Sequence, residues 1–296
     1  MGCGVQSELE EVAHLEKVVS SALLLTCAKL TKSFSQNYEV CMFSDFARSL
    51  QAALFYPQLR TGYLRVFKHA YWKKHIRGLQ DFYRPFIAPG ALVFDIGANV
   101  GEYAQAFLAL GARVVAVEPN PDLAAKLSRL HTQRLTVLAC AVGETAETLP
   151  MHLSDMHTLG TLSEGWLKIA TQAERLASNH WQRTVNVPVR TLDSLIAQYG
   201  RPDFVKIDVE GFELQTLRGL RSMLRCLSFE FNGEWTKPTL ECLRQPCFPA
   251  ETRFNYIVGD GQSFALPRWI DVQDMAKIVQ ETLPRHEYGD IFARIH

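Results

Sequence analysis

The sequence lacks an excess of either charge: Lys and Arg total 31, as do Asp and Glu. A nucleic-acid binder needs surplus basic side chains against phosphate, so the composition argues against that class. It also lacks any Cys-x-x-Cys pair among its seven cysteines, and with it the spacing of a zinc site or a dithiol redox centre. An odd, scattered set of thiols reads as reduced and buried, which fits the cytoplasm. Cys242 and Cys247, the closest pair, read as structural. No run is apolar enough for a membrane span. The stretch 18–27 is too short and reads as the packed face of a helix. Gln6 stands where an N-myristoylation pattern needs Ser or Thr.

What is present centres on residues 91–103, Ala-Leu-Val-Phe-Asp-Ile-Gly-Ala-Asn-Val-Gly-Glu-Tyr. A short apolar run without helical period reads as a buried parallel strand. Gly97 to Gly101 makes a tight turn, and a helix follows from Tyr103 to Leu110. A dinucleotide site wants Gly-x-Gly-x-x-Gly. Only Gly97 and Gly101 are here, and Asp95 before them would repel a pyrophosphate. The same carboxylate suits a ligand with an ammonium and a sulfonium, which describes S-adenosylmethionine (SAM). That ligand also has a carboxylate for the loop N–H groups. Asp95, Gly97, Asn99 and Gly101 are therefore candidate cofactor residues. A strand-turn-helix with no ligand is the plain alternative.

Taken in order, residues 7–32 and 44–53 read as helices, and a third from 63 to 82 is aromatic and basic. That third helix is either a cap over a substrate mouth or an amphipathic helix with a solvated basic face, and the second reading is favoured. Pro85, Pro89 and Gly90 mark the entry to the main domain. A strand over 112–118 ends in Glu118, followed by Pro119. Glu118 lies about 20 residues beyond the loop, where a nucleoside-binding α/β fold places the acid for the ribose hydroxyls. Residues 135–142 read as a third strand, with Ala141 and Val142 near an adenine ring. An edge strand is expected over 145–153. Residues 154–177 have no clear assignment and suit a lid or substrate loop. His152, His157 and His180 are minor candidates for a base.

In Pro202-Asp-Phe-Val-Lys-Ile-Asp-Val-Glu-Gly-Phe-Glu213, alternation puts Phe204, Lys206 and Asp208 on one face. A lysine inside a central strand needs a carboxylate partner, because desolvating an ammonium costs several kcal/mol. Asp208, Glu210, Glu213, Glu230 and Asn232 should gather at adjacent strand ends. Asp208 is the first candidate for a catalytic base and Glu210 the second. Asp208, Glu230 and Asn232 holding Mg²⁺, or all of them in structural pairs, are the alternatives. Residues 253–258 and 263–266 read as a hairpin, 271–282 as a helix and 289–295 as the last strand.

With these residues in view, the chain resembles the FkbM family of SAM-dependent methyltransferases. The likeness rests on Phe94-Asp-Ile-Gly-Ala-Asn-Val-Gly101, Val117-Glu-Pro-Asn120, Ala141-Val-Gly143, Thr191-Leu-Asp193 and Val205-Lys-Ile-Asp-Val-Glu-Gly-Phe-Glu213. These motifs come in family order over roughly residues 85–295. The resemblance implies an α/β, Rossmann-like class I methyltransferase fold. Its sheet would be mostly parallel and seven-stranded, with an antiparallel last strand. Residues 1–85 carry no such match and read, from their helical spacing, as an N-terminal helical extension before the methyltransferase domain (86–296). The resemblance further implies O-methylation of a hydroxyl on a sugar or natural-product-like small molecule. A catalytically degenerate binding module and an NAD-dependent enzyme are the rival classes.

Overall fold

The computed structural model describes residues 72–130, 132–154, 160–172, 180–285 and 288–295. The helices expected at 7–32 and 44–53, the start of the third one, and His157 lie outside them. Eleven strands run in chain order among the described residues. They are β1 (Leu92–Ile96), β2 (Arg113–Val117), β3 (Leu135–Leu138), β4 (Ala141–Val142), β5 (Glu147–Ser154) and β6 (Gly160–Thr161). After them come β7 (Trp181–Arg190), β8 (Phe204–Ile207), β9 (Cys226–Asn232), β10 (Arg253–Val258) and β11 (Tyr288–Arg294). The helices between them are α1 (Glu102–Ala109), α2 (Pro121–Leu127), α3 (Glu164–Ala170), α4 (Leu192–Tyr199), α5 (Glu213–Arg218), α6 (Thr236–Cys242) and α7 (Val272–Glu281).

Seven strands form the main sheet in the order β10-β11-β9-β8-β1-β2-β3. Those from β3 to β9 pair in parallel, while β11 runs antiparallel to both its neighbours. This is the sheet expected for a class I methyltransferase. The chain builds outward from β1 in one direction, then returns to β8 on the other side. That reversal leaves a crevice at the carboxyl ends of β1 and β8, where open α/β sheets take ligands.

Alternation along the strands feeds two apolar layers. Leu92, Phe94, Ile96, Val205, Ile207 and Phe229 pack on one face. Val93, Val114, Phe204 and Phe292 pack on the other, under α1 and a helical stretch at 72–83. In that stretch Ile76, Leu79 and Tyr83 are buried while Lys73, Lys74 and Arg77 are exposed. The described part of the aromatic, basic segment is thus an amphipathic helix with a solvated cationic face. The second layer is not wholly apolar: Asp95, Lys206, Ser228 and Asp290 are buried polar side chains on β1, β8, β9 and β11.

Three expectations are corrected. Residues 135–142 are not one strand: β3 ends at Leu138, and β4 leaves to pair with β7 in a second, four-stranded sheet. Residues 145–153 are no edge, since β5 pairs with both β7 and β6. Residues 263–266 run beside β10 without becoming a strand. The Asn255 amide donates to the Leu266 carbonyl (3.0 Å) and accepts from its N–H (3.2 Å), replacing part of a ladder. In the unassigned segment the described parts form β6 and α3, with Ser163 capping α3 through the Trp166 amide.

Candidate active site

The first loop is pressed against the end of β8. Gly97 has φ of +83°, and a Cβ there would stand 1.7 Å from the Asp208 carbonyl oxygen. Only glycine passes both tests. The loop amides are largely engaged. Gly97 and Ala98 donate to the Val117 carbonyl (2.8 and 3.0 Å), and Gly101 donates to Ala98 (2.8 Å). Asn99, itself left-handed at φ of +50°, donates to Glu118 Oε2 (2.7 Å). These four amides are spent within the loop and its β2 neighbour. A pyrophosphate would not find the cradle that a dinucleotide loop offers, and the carboxylate of a methyl donor would need other partners too.

Glu118 is 4% exposed. Its Oε1 accepts from the Asn120 amide (2.7 Å) as its Oε2 does from Asn99. Burial pushes its carboxyl up to about 7, against the pull of the two amide bonds. Each oxygen retains a second lone pair for a hydroxyl donor. Asp95 is buried deeper, at 1%. One oxygen takes the Ala104 amide in the first turn of α1, and Oδ2 has no hydrogen-bond partner. Burial raises its carboxyl to about 7, with Lys206 pulling the other way.

A cavity of about 200 Å³ opens where β1, β2, β4 and β8 end. Gly97, Asn99, Glu118, Pro119, Ala141, Val142, Asp208 and Glu210 all line it. Asp95 and Gly101 are not on its wall. Asp95 lies beneath the loop as a cap for α1, and Gly101 faces α2, where a Cβ would stand 2.4 Å from Leu127 Cδ2. The wall also carries Met151 and Leu162 from the second sheet and its edge, and Tyr288 of β11.

The second motif shapes the opposite wall. Lys206 is 1% exposed and donates to Asp208 Oδ2 at 2.8 Å, so its expected carboxylate partner is present. Its Nζ lies 3.7 Å from Asp290 Oδ1 and 4.2 Å from the Tyr103 ring centre. Burial pulls the ammonium down, but Asp208, Asp290 and two tyrosines hold it well above the usual lysine value. Glu210 adopts φ of +53°, and its carbonyl accepts from Thr161 Oγ1 (2.6 Å). Left-handed non-glycine residues are strained and concentrate at functional sites. Both of those seen among the described residues, Asn99 and Glu210, are on this cavity wall. Gly211 admits Trp166, whose Cβ would meet an added Cβ at 2.4 Å. Glu213 Oε1 accepts from the Val209 and Gly211 amides (3.1 and 3.3 Å), so it ties the loop down from behind.

Of the five polar groups expected to gather here, Asp208, Glu210 and Glu230 reach the main cavity. Glu213 and Asn232 line a small hollow behind it, which Glu230 also borders. Glu230 is pushed well above the usual carboxylate range by burial and by Asp208, Glu210, Glu213 and Asp290. Among the described residues, no group of three or more His, Cys, Asp or Glu side chains is disposed to hold a metal ion. His152 bonds Thr184 on β7 and is not on the cavity wall.

Residues 95–240 match the family model described as the methyltransferase FkbM domain. That stretch of the chain is similar to the FkbM methyltransferases. The matched span runs from Asp95 through both motifs to α6, so it contains every residue lining the cavity except Tyr288. The chain is 28% identical over 171 residues to hexuronic acid methyltransferase AglP of Haloferax volcanii. The match takes in 53% of this chain and 63% of AglP, so the chain spans less than two thirds of that relative's length. Among solved structures, it is similar to precorrin-6y C5,15-methyltransferase of Geobacter metallireducens: 12% identity, 76% of this chain and 86% of that one, TM-score 0.35. It is also similar to a 16S rRNA N2 G1207 methyltransferase of T. thermophilus: 15% identity, 75% and 42% of the chains, TM-score 0.37. Neither structural likeness bears on the chemistry of this chain.

Asp290, Tyr288 and Tyr103 have places in or under the site that motif reading does not assign. A signal for Asp290 exists in the sequence: an Asp at an inward position of a strand otherwise reading Ile-Phe-Ala.

Proposed function

We propose that this protein is a SAM-dependent O-methyltransferase acting on a hydroxyl of a sugar or a natural-product-like small molecule. One observation carries the reading. A single cavity at the switch point of the sheet has Glu118 on one wall and Asp208 on the other. Its chemistry fits the donor. Glu118 offers two acceptor oxygens for a ribose, Ala141, Val142 and Leu123 give an adenine ring an apolar shelf, and the net negative wall suits a sulfonium. AglP, named for a hexuronic acid, supports a sugar as acceptor, and the balanced charge of the chain favours a small molecule over nucleic acid.

When bound, SAM supplies a methyl group on a sulfonium whose sulfur leaves with the bonding pair as a neutral thioether. The protein's part is alignment, worth roughly 7–11 kcal/mol in well-oriented reactions. Asp208 stands at the cavity wall with Oδ2 committed to Lys206. Its other oxygen takes the proton of the acceptor hydroxyl as the new O–C bond forms. A placed base of this kind contributes about 10²–10⁴-fold. Glu210 fixes the loop beside it. Asp95 acts from beneath, holding the start of α1 and so the loop above it.

The test is mass spectrometry of products after incubation with SAM and a panel of hydroxylated sugars. Acceptors heavier by one methylene, formed with wild type and lost with Asp208→Asn, are expected. SAM binding without any methylated product across sugars and source extracts would instead favour the degenerate binding module.

A further inference from the structure

One buried ammonium in this fold serves more carboxylates than it can neutralise. Lys206 is bonded to Asp208, lies 3.7 Å from Asp290 and is paired in register with Asp95 of β1. A structural ion pair needs one carboxylate. Here Asp290, 5% exposed, has for Oδ1 only the long 3.7 Å ion pair to Lys206, and Asp95 keeps Oδ2 without a hydrogen bond. An unsatisfied buried polar group costs about 1–3 kcal/mol, more when charged. The arrangement is costly as architecture. It makes sense for a site in which Asp208 changes charge.

That change creates a specific problem. When Asp208 takes a proton, its charge is gone and the Lys206 ammonium, out of reach of water, loses its bonded partner. Leaving one member of a buried pair uncompensated typically costs 3–5 kcal/mol. Asp290 stands about 0.5 Å beyond hydrogen-bond distance from Nζ, close enough to take over with a small side-chain movement. It comes from β11, the strand of the main sheet that runs antiparallel to its neighbours, which reaches this layer through β9.

We propose that Lys206 and Asp290 are a positioning pair for Asp208: the ammonium orients the Asp208 carboxylate at the cavity wall, and Asp290 becomes its counter-charge when Asp208 is protonated. The role in turnover rests on Asp208 as the base. The charge hand-over itself does not.

The other groups facing this centre are known. Lys206 meets Asp95 from β1, Tyr103 from α1 and Tyr83 from the 72–83 helix, besides Asp208 and Asp290. Asp208 also meets Glu118, Glu213 and Glu230, with Glu210 in the same loop. Asp260 acts on Asp290. Burial lifts the Asp290 carboxyl to about 6, with Lys206 lowering it and Asp208 raising it.

The experiment is a ¹³C NMR titration of the Asp290 carboxyl in the ligand-free full chain. Asp208→Asn imitates the protonated base, so Lys206 is left to Asp290, and the midpoint should fall by about one pH unit or more. Lys206→Met removes the shared cation, and the midpoint should rise. Thermal melting establishes that each variant is folded; Asp208, a third exposed, is the safer of the two sites. An Asp290 midpoint in folded Asp208→Asn equal to wild type would overturn the proposal, as would a fall in Lys206→Met. In turnover, Asp290→Asn should lower kcat about tenfold, leave KM for SAM unchanged and move the acid limb of the pH–rate profile to lower pH. Asp290→Glu should recover part of the rate. A loss of kcat with the acid limb unmoved would show a merely structural residue and reject the pair's part in turnover. If no acceptor is found, the titration still decides the hand-over.

Discussion

The two walls of the cavity hold their charges by different means. On the β1–β2 side, each carboxylate is anchored to backbone: Glu118 on the wall to the Asn99 and Asn120 amides, and Asp95 beneath the loop to the Ala104 amide. On the β8–β11 wall, Asp208 and Asp290 gather round the side chain of one buried lysine. Backbone amides cannot change protonation or move far, so the first side holds its carboxyl groups in one place and one shape. A lysine shared among carboxylates can redistribute charge, so the second wall suits proton transfer. We read the first as the wall that binds and the second as the wall that reacts.

The sharpest break of this comparison is Asp208→Asn. Turnover should drop by 10²–10⁴-fold, the range for a placed base, with SAM affinity nearly unchanged by calorimetry. If affinity falls and the catalytic rate does not, the walls have been assigned the wrong way round. Gly97→Ala tests where the walls touch. A Cβ 1.7 Å from the Asp208 carbonyl must move one loop, so a loss of about 3 kcal/mol in urea unfolding is expected. A variant as stable as wild type would show that the loop is not pressed on β8. Glu118→Ala should weaken SAM roughly 100-fold, from hydrogen bonds to a charged acceptor at about 1.5–3 kcal/mol each, while the affinity for acceptor holds.

The smaller effects sharpen the contrast through pH. Burial raises Asp95, Glu118 and Glu213 to about 7, so the folded chain keeps protons that the unfolded chain has released above pH 4. Their contribution to stability therefore declines as pH rises from about 4 to 7. Asp95→Asn should flatten that decline by at most about 4 kcal/mol and leave the α1 cap in place, since Asn still accepts from Ala104. A steeper decline in melting scans would contradict the shift. A cationic ligand favours ionised carboxylates, so SAM should bind more tightly at pH 8 than at pH 6, and Glu118→Gln should reduce that dependence.

Much of the binding wall is legible in the sequence because its parts are local. A short apolar run, two glycines and an acid about 20 residues later specify the strand, the turn and a carboxylate at the end of β2 without reference to distant segments. The placement of Asp95 is less legible, since nothing in Phe94-Asp-Ile says whether the carboxylate turns to the crevice or to the helix behind it. On the reactive wall, alternation around Lys206 announces that a carboxylate must be near. Asp208 is two residues away and can be named. Asp290 is not, because its approach depends on β11 inserting antiparallel between β9 and β10. The break between β3 and β4 is silent for a similar reason. The run 135–142 is apolar throughout, and only pairing of Ala141 and Val142 with β7 decides that it changes sheets.

The most direct measurement is calorimetric titration of SAM into the wild-type chain and into Glu118→Ala. Saturable one-to-one binding to wild type, weakened about 100-fold in the variant, is the predicted result. Equal affinity in both proteins, or heat from NAD and none from SAM, would contradict it.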